Sequence, residues 1–128
     1  MDKVEYRKIK PFINIAAKDG VNLKDSKNTS WFLHCRDGHH AIAGLIVNPK
    51  TGYARIKGVW VDPIIRGNGV GSSITLSLIM LAKSYSFVHT IEVFAYNRRH
   101  YEDRGFVCVE SATQKKKRGN VYYLYKRV

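Results

Sequence analysis

Cysteine is scarce: Cys35 and Cys108 are the two thiols in 128 residues. Two cysteines build neither a disulfide framework nor a zinc site, so they read as reduced thiols of a cytoplasmic protein. Long apolar runs are missing as well. The best candidate, residues 74–82, is broken by Thr75 and Ser77 and falls far short of the roughly 20 apolar residues that span a bilayer. No membrane partner is therefore expected. The first residues, Met1-Asp2-Lys3-Val4-Glu5, lack the basic and then apolar pattern of a secretory signal. Repeats, low-complexity tracts and linkers are absent, which predicts one domain over residues 1–128. Acidic side chains are few: 10 Asp and Glu stand against 22 Lys and Arg, a formal charge of +12. That excess favours an anionic partner, whether nucleic acid, a phosphorylated cofactor or an acidic protein.

What is present reads as a folded domain. Apolar residues make up 45% and charged residues 25%, which excludes intrinsic disorder and permits a real core. Residues 4–9 alternate apolar and charged and predict a first strand. Pro11 suits the first turn of a short helix over residues 12–17. Residues 31–36 and 40–47 are β-prone and flank Asp37-Gly38, a strong two-residue turn signal. Asn48-Pro49-Lys50-Thr51-Gly52 is the next turn, and residues 53–61 follow as a third strand of a meander. Residues 72–86 lack Gly and Pro, and Ile74, Leu78, Leu81 and Tyr85 share one helical face. Residues 90–96 read as a strand, 97–104 as one or two helical turns, and 106–110 and 121–125 as the last strands. Lys115-Lys116-Lys117-Arg118-Gly119-Asn120 lies between those two as a basic turn. The fold class is α/β: a single mixed, mostly antiparallel sheet of about seven strands with flanking helices.

The chemistry concentrates at Arg66-Gly67-Asn68-Gly69-Val70-Gly71, between a strand and the long helix. Glycines let the backbone turn its N–H groups inward. The helix start adds unpaired amides at Gly71 and Ser72 and the positive end of its dipole. Such a loop suits a pyrophosphate, and Arg66 adds a charge. No Lys-Ser or Lys-Thr follows, so it is not a P-loop. The spacing Gly67-x-Gly69-x-Gly71 also differs from the dinucleotide fingerprint, which would follow a parallel unit instead of a meander.

The segment Val59-Trp60-Val61-Asp62-Pro63-Ile64-Ile65-Arg66-Gly67-Asn68-Gly69-Val70-Gly71 resembles the acyl-CoA-binding motif of the GNAT N-acetyltransferase superfamily. Tyr101-Glu102-Asp103-Arg104-Gly105-Phe106 resembles that family's Tyr-Glu-x-x-Gly-Phe segment. The two stand either side of a helix and a strand, as the family requires. The resemblance implies an acyl-CoA N-acyltransferase fold in which the fourth and fifth strands splay. Acetyl-CoA would lie in the gap as acyl donor, with no metal. Backbone groups of Val59, Trp60 and Val61 would pair with the pantetheine arm, an amide near Val61 acting as oxyanion donor. Amides from Arg66 through Gly67, Asn68, Gly69, Val70 and Gly71 to Ser72 would hold the pyrophosphate. Tyr101 matches the frequent general acid that protonates the departing thiolate, and Asn97 matches the asparagine near the pantetheine. Here only three residues separate Asn97 from Tyr101, fewer than usual. The fourth strand carries Arg55, Lys57 and Asp62 in place of the family's frequent Glu, which leaves Asp62 as the candidate base. His34, His39, His40 and His100 are the alternative bases, since imidazole is the side chain suited to proton transfer near neutral pH. Arg98, Arg99, His100 and Arg104 form a second cationic cluster near the expected thiol end, where an anionic acceptor or the CoA phosphates would meet it.

The resemblance implies an N-acetyltransferase moving an acetyl group from acetyl-CoA to a primary amine by direct attack in a ternary complex. The alternative is a catalytically weak or inactive module of the same fold that binds nucleic acid or an acidic protein. Residues 115–118 with Tyr122, Tyr123 and Tyr125 read either as a basic aromatic platform or as a solvated turn beside packed tyrosines. The region before Trp31 is short for the family, which favours an open site and a macromolecular acceptor such as protein or nucleic acid. Oligomeric state, monomer or dimer, is not legible.

Overall fold

Turn chemistry builds the first half of the sheet. The computed structural model describes residues 1–128. An edge strand, β1 (Asp2–Val4), pairs antiparallel with β2 (Thr29–Arg36), which pairs with β3 (His39–Asn48), which pairs with β4 (Tyr53–Val61). Asp37 and Gly38 have φ of 52° and 77°, the positive pair that the mirror-image hairpin turn needs. Helix α2 (Val70–Lys83) then crosses over, and β5 (Thr90–Ala95) runs parallel to β4. The short helix α3 (Arg98–Glu102) leads into a hairpin of β6 (Val107–Lys116) and β7 (Gly119–Arg127). β7 inserts beside β5, giving the order β1-β2-β3-β4-β5-β7-β6. The result is the mixed, mostly antiparallel seven-stranded sheet that the sequence predicts. No helix is long and apolar enough to cross a membrane.

The two faces bury different clusters. Ile74 and Leu78 of α2 meet Leu45, Ile56, Ile91 and Leu124 on one face. Each such aliphatic side chain taken out of water contributes roughly 1.5–3 kcal/mol. On the other face, helix α1 (Ile13–Lys18) and the preceding turns cover Trp31, Ile42 and Trp60.

Three expectations need correction. The first strand is residues 2–4, not 4–9. Tyr6–Lys8 and Lys10–Phe12 are 3₁₀ turns, because Tyr6 and Ile9 are three apart and both turn inward. Ile9 is fully buried and the Tyr6 hydroxyl donates to the Leu23 carbonyl at 2.9 Å. The long helix starts two residues before Ser72 and stops at Lys83, so Tyr85 lies beyond its end and exposed. Val70, Thr75, Ile79 and Ala82 join Ile74 and Leu78 as its buried positions. The basic turn shrinks to Lys117 and Arg118, since both strands run on to it. Strand alternation also divides the tyrosines. Tyr122 lies against the α2-side core, with the Arg98 guanidinium 5.1 Å above its ring. Tyr123 and Tyr125 sit in pleats flanking Leu124, which is buried on that side, so they point to the opposite face.

What positions the site is a break between β4 and β5. Their parallel ladder covers only Tyr53–Ile56 against Thr90–Val93. Beyond it β4 continues to Val61 unpaired on that side, while Phe94 and Ala95 of β5 stay with β7. A bulge marks the break: Gly58 and Val59 of β4 oppose the single residue Ala43 of β3. Gly58 has φ of 66°, and a Cβ there would stand 2.8 Å from the Asn22 carbonyl and 2.9 Å from a Leu23 methyl. Only glycine meets both demands.

Candidate active site

The gap between the diverging strands is a cleft of about 680 Å³. Val59, Trp60 and Val61 form one wall, Gly67, Gly69, Val70, Gly71 and Ser72 the end, and Asn97 and His100 the other wall. Residues from three separate segments named by the sequence therefore converge. Asp62 N–H donates to the His40 carbonyl of β3 at 3.0 Å. Alternation then turns the N–H and C=O of Val61 to the opposite edge, toward the cleft.

The glycine loop does what its composition dictates. Gly67 and Gly69 have φ of 80° and 75°. The first α2 bond is Ser73 N–H to the Gly69 carbonyl, at 3.0 Å. The six amides from Gly67 to Ser72 precede that bond and donate to no protein acceptor. Six free donors at the positive end of a 14-residue helix form an anion cradle. Asn68 differs from its neighbours: its side chain lines a second hollow with His34 and Arg36, on the far side of the loop.

Arg66 is not the free charge the sequence suggests. Its Nη2 pairs with Asp19 at 2.9 Å and its Nε donates to the Val61 carbonyl at 2.8 Å. Asp19 also accepts from Trp60 Nε1 at 2.9 Å. The Trp60 and Arg66 hydrogen bonds hold its carboxyl below the usual range. Arg66 is thus a strut from the loop to the end of α1, and it takes up one lone pair of the Val61 carbonyl while leaving the Val61 N–H free for a ligand.

Asp62 is likewise engaged. Its Oδ1 caps the 3₁₀ turn Pro63–Ile65 by accepting Ile64 N–H at 3.0 Å, and its Oδ2 meets His39 at 3.3 Å. The Ile64 N–H above all lowers its pKa, making it a weaker base, and it stands outside the cleft lining.

Asn97 caps α3, its Oδ1 accepting His100 N–H at 3.2 Å. His100 Nε2 shares a hydrogen bond with Thr75 Oγ1 at 3.0 Å. Burial, and then the nearby Arg104, keep His100 below its usual pKa, so it is neutral at pH 7. Tyr101 turns away from the cleft into the core, 6% exposed, against Phe106. Burial raises its hydroxyl to about 12, against the opposing charge of Arg104. The sequence named His100 as one of several histidines. Asp19 and Thr75 carried no signal, because their partners lie far away along the chain; Arg104 stood in the cationic cluster with Arg98, Arg99 and His100.

A sequence model described as acetyltransferase (GNAT) family matches residues 3–106. No curated protein sequence matches the chain. Among solved structures, the IAA acetyltransferase from Bacillus cereus is 14% identical with a TM-score of 0.75, over 99% of this chain and 97% of that one. An acyl-CoA N-acyltransferase from Pseudomonas aeruginosa is 16% identical with a TM-score of 0.71, over 96% and 92%. The N-acetylglutamate synthase from Neisseria gonorrhoeae, solved with coenzyme A and N-acetyl-glutamate, is 19% identical with a TM-score of 0.68. The match covers 94% of this chain, which spans about a third of that enzyme's length, 32%. At these identities the structures establish the fold, and the family model reaches across β1 to α3 and the end of the glycine-rich segment's partner motif at Phe106. The chain belongs to the acetyltransferase (GNAT) family and is an acyltransferase.

Proposed function

We propose that this protein transfers an acetyl group from acetyl-CoA to a primary amine by direct attack within a ternary complex. The single observation that carries the reading is the unpaired cleft edge of β4 running into six free amides. That arrangement fits a long thioester with a diphosphate at one end. The amides from Gly67 to Ser72 bind the diphosphate, and the Val61 N–H and its neighbours on the β4 edge pair with the pantetheine arm. The bulge at Gly58 and Val59 brings the thioester carbonyl to backbone donors, an oxyanion role. Asn97 faces the arm from α3. Holding both reactants together supplies the orientation, with no covalent enzyme intermediate.

Proton transfer falls to His100, which Thr75 Oγ1 holds at 3.0 Å. His100 meets the cleft. Being neutral, it accepts the proton that the attacking amine loses. Its lowered pKa makes the resulting imidazolium a ready donor to the departing thiolate. Tyr101 stays protonated, and its ring packs edge-on against the His100 imidazole at 4.9 Å, which with Thr75 orients it. Support for an acidic acceptor comes from the cations beside the cleft.

Mass spectrometry of amines, peptides and nucleic acids after incubation with labelled acetyl-CoA tests the reading. A gain of one acetyl group on an amine is expected. No transfer to any amine, with no rise in melting temperature on adding CoA, would overturn it, since a ligand of the native state must stabilise it. His100→Asn is expected to lower kcat more than Tyr101→Phe, with CoA affinity held within about threefold in both. The reverse order of kcat would return the acid role to Tyr101 itself.

A further inference from the structure

A diphosphate brings two negative charges to the cradle, and the cation that answers them is not the one in the loop motif. Arg66 is spent on Asp19 and the Val61 carbonyl. Arg118, at the rim, donates to the Lys18 carbonyl and faces the Asp19 carboxylate, whose charge it feels. Arg104, just beyond α3, remains. Its Nη2 donates to Ser72 Oγ and its Nη1 to the His100 carbonyl. No carboxylate pairs with it, and its Nε is buried without any partner.

We propose that Arg104 supplies the fixed positive charge of the diphosphate site, acting through the Ser72 hydroxyl. This rests on the reading of the cleft as the CoA site. Ser72 lines the cleft. Because Ser72 Oγ accepts from Arg104, its own O–H is left to donate outward. A guanidinium behind that hydroxyl polarises it, and a charge-assisted chain runs from Arg104 through Ser72 to a phosphate oxygen. The energetic argument points the same way. A half-buried cation with no counter-ion, beside six amides with no acceptor, is costly to hold and is relieved by an anion. The reader of the phosphate charge thus comes from the Tyr-Glu-x-x-Gly-Phe segment, and Arg66 of the loop is a brace.

Calorimetric titration of the full chain with CoA, dephospho-CoA and pantetheine tests this. Arg104→Gln is expected to weaken CoA and dephospho-CoA alike by about tenfold or more, and to leave pantetheine unchanged. Ser72→Ala is expected to weaken CoA by about threefold in the native background and to add nothing to Arg104→Gln, since both act through one hydroxyl. Arg66→Gln is expected to cost less CoA affinity than Arg104→Gln. Thermal melts establish that each variant folds. If Arg104→Gln does not, Arg104→Lys, with a smaller loss than the Gln variant implies, and Ser72→Ala carry the measurement. Unchanged CoA affinity in Arg104→Gln, or in Ser72→Ala where that variant stands in, would overturn the inference. So would a loss confined to CoA, which assigns Arg104 to the 3′-phosphate, or an equal loss for pantetheine, which makes it structural. If the unaltered protein fails to bind CoA at all, the parent reading falls with it; binding by the unaltered protein and all variants alike removes only Arg104.

Discussion

Asp19 holds three parts of the molecule in one place. Its carboxylate accepts from Trp60 on β4 and pairs with Arg66 in the loop, while it sits at the end of α1. Because the folded protein lowers its pKa below the ordinary 3.8, the stability it contributes is present above that value. It is lost as pH falls through the lowered folded value. Asp19→Asn is therefore expected to melt earlier at neutral pH and to show a shallower loss of melting temperature below pH 4, read by thermal scans across a pH series. At this scale the sequence was most informative where backbone chemistry decides. Glycines 67 and 69 need positive φ wherever they stand in such a loop, and they have it. It was least informative where a side chain chooses among partners. Arg66 looked free because Asp19 is 47 positions away. Asp62 precedes Pro63, and the cap it makes was one of the two uses open to it. Tyr101 matches its motif and is buried at 6% exposure, while its neighbour His100 lines the cleft.

Element boundaries follow the same division. Strand β4 begins and ends where the sequence places it, between the Asn48–Gly52 turn and Asp62-Pro63. The bulge inside it was invisible, because a lone glycine in a strand does not announce whether its φ is positive. That bulge is the mechanical origin of the cleft, since it shifts the register by one residue just as the β5 ladder stops. Gly58→Ala puts a methyl group within 2.8 Å of the Asn22 carbonyl and forces a left-handed φ on alanine. The conformational part alone costs about 1–2 kcal/mol. The expected outcome is a lower melting temperature together with weaker CoA binding, because the β4 edge moves with the bulge. Full CoA affinity in a folded Gly58→Ala protein would separate the bulge from the site. The first strand was misread because alternation over a few residues and a tight 3₁₀ turn bury the same kinds of side chain. Tertiary cover by Leu23 decides between them.

At the scale of the whole molecule, charge sets how ligands arrive. The net +12 and the exposed Lys115, Lys116 and Lys117 at the hairpin tip raise the local concentration of anions such as CoA. Replacing those three lysines by glutamine is expected to slow CoA association and flatten its dependence on salt, while the dissociation rate stays as it was, measured by stopped flow. The overall charge was fully legible in the sequence; its consequence for the tyrosines was not, because their division between two faces depends on the pleat of a strand whose register only the fold sets. The strand order carries a further consequence. β5 borders the cleft, and its second neighbour is β7, the strand synthesised after all the others. Arg118 reaches back across 100 positions to the Lys18 carbonyl. A nascent chain that has exposed the cleft residues up to His100 still lacks the strand that pairs with the second edge of β5 and the Arg118 side chain at the rim. Pairing over such sequence separation is slow, so competence to bind arrives late, after translation has passed the hairpin.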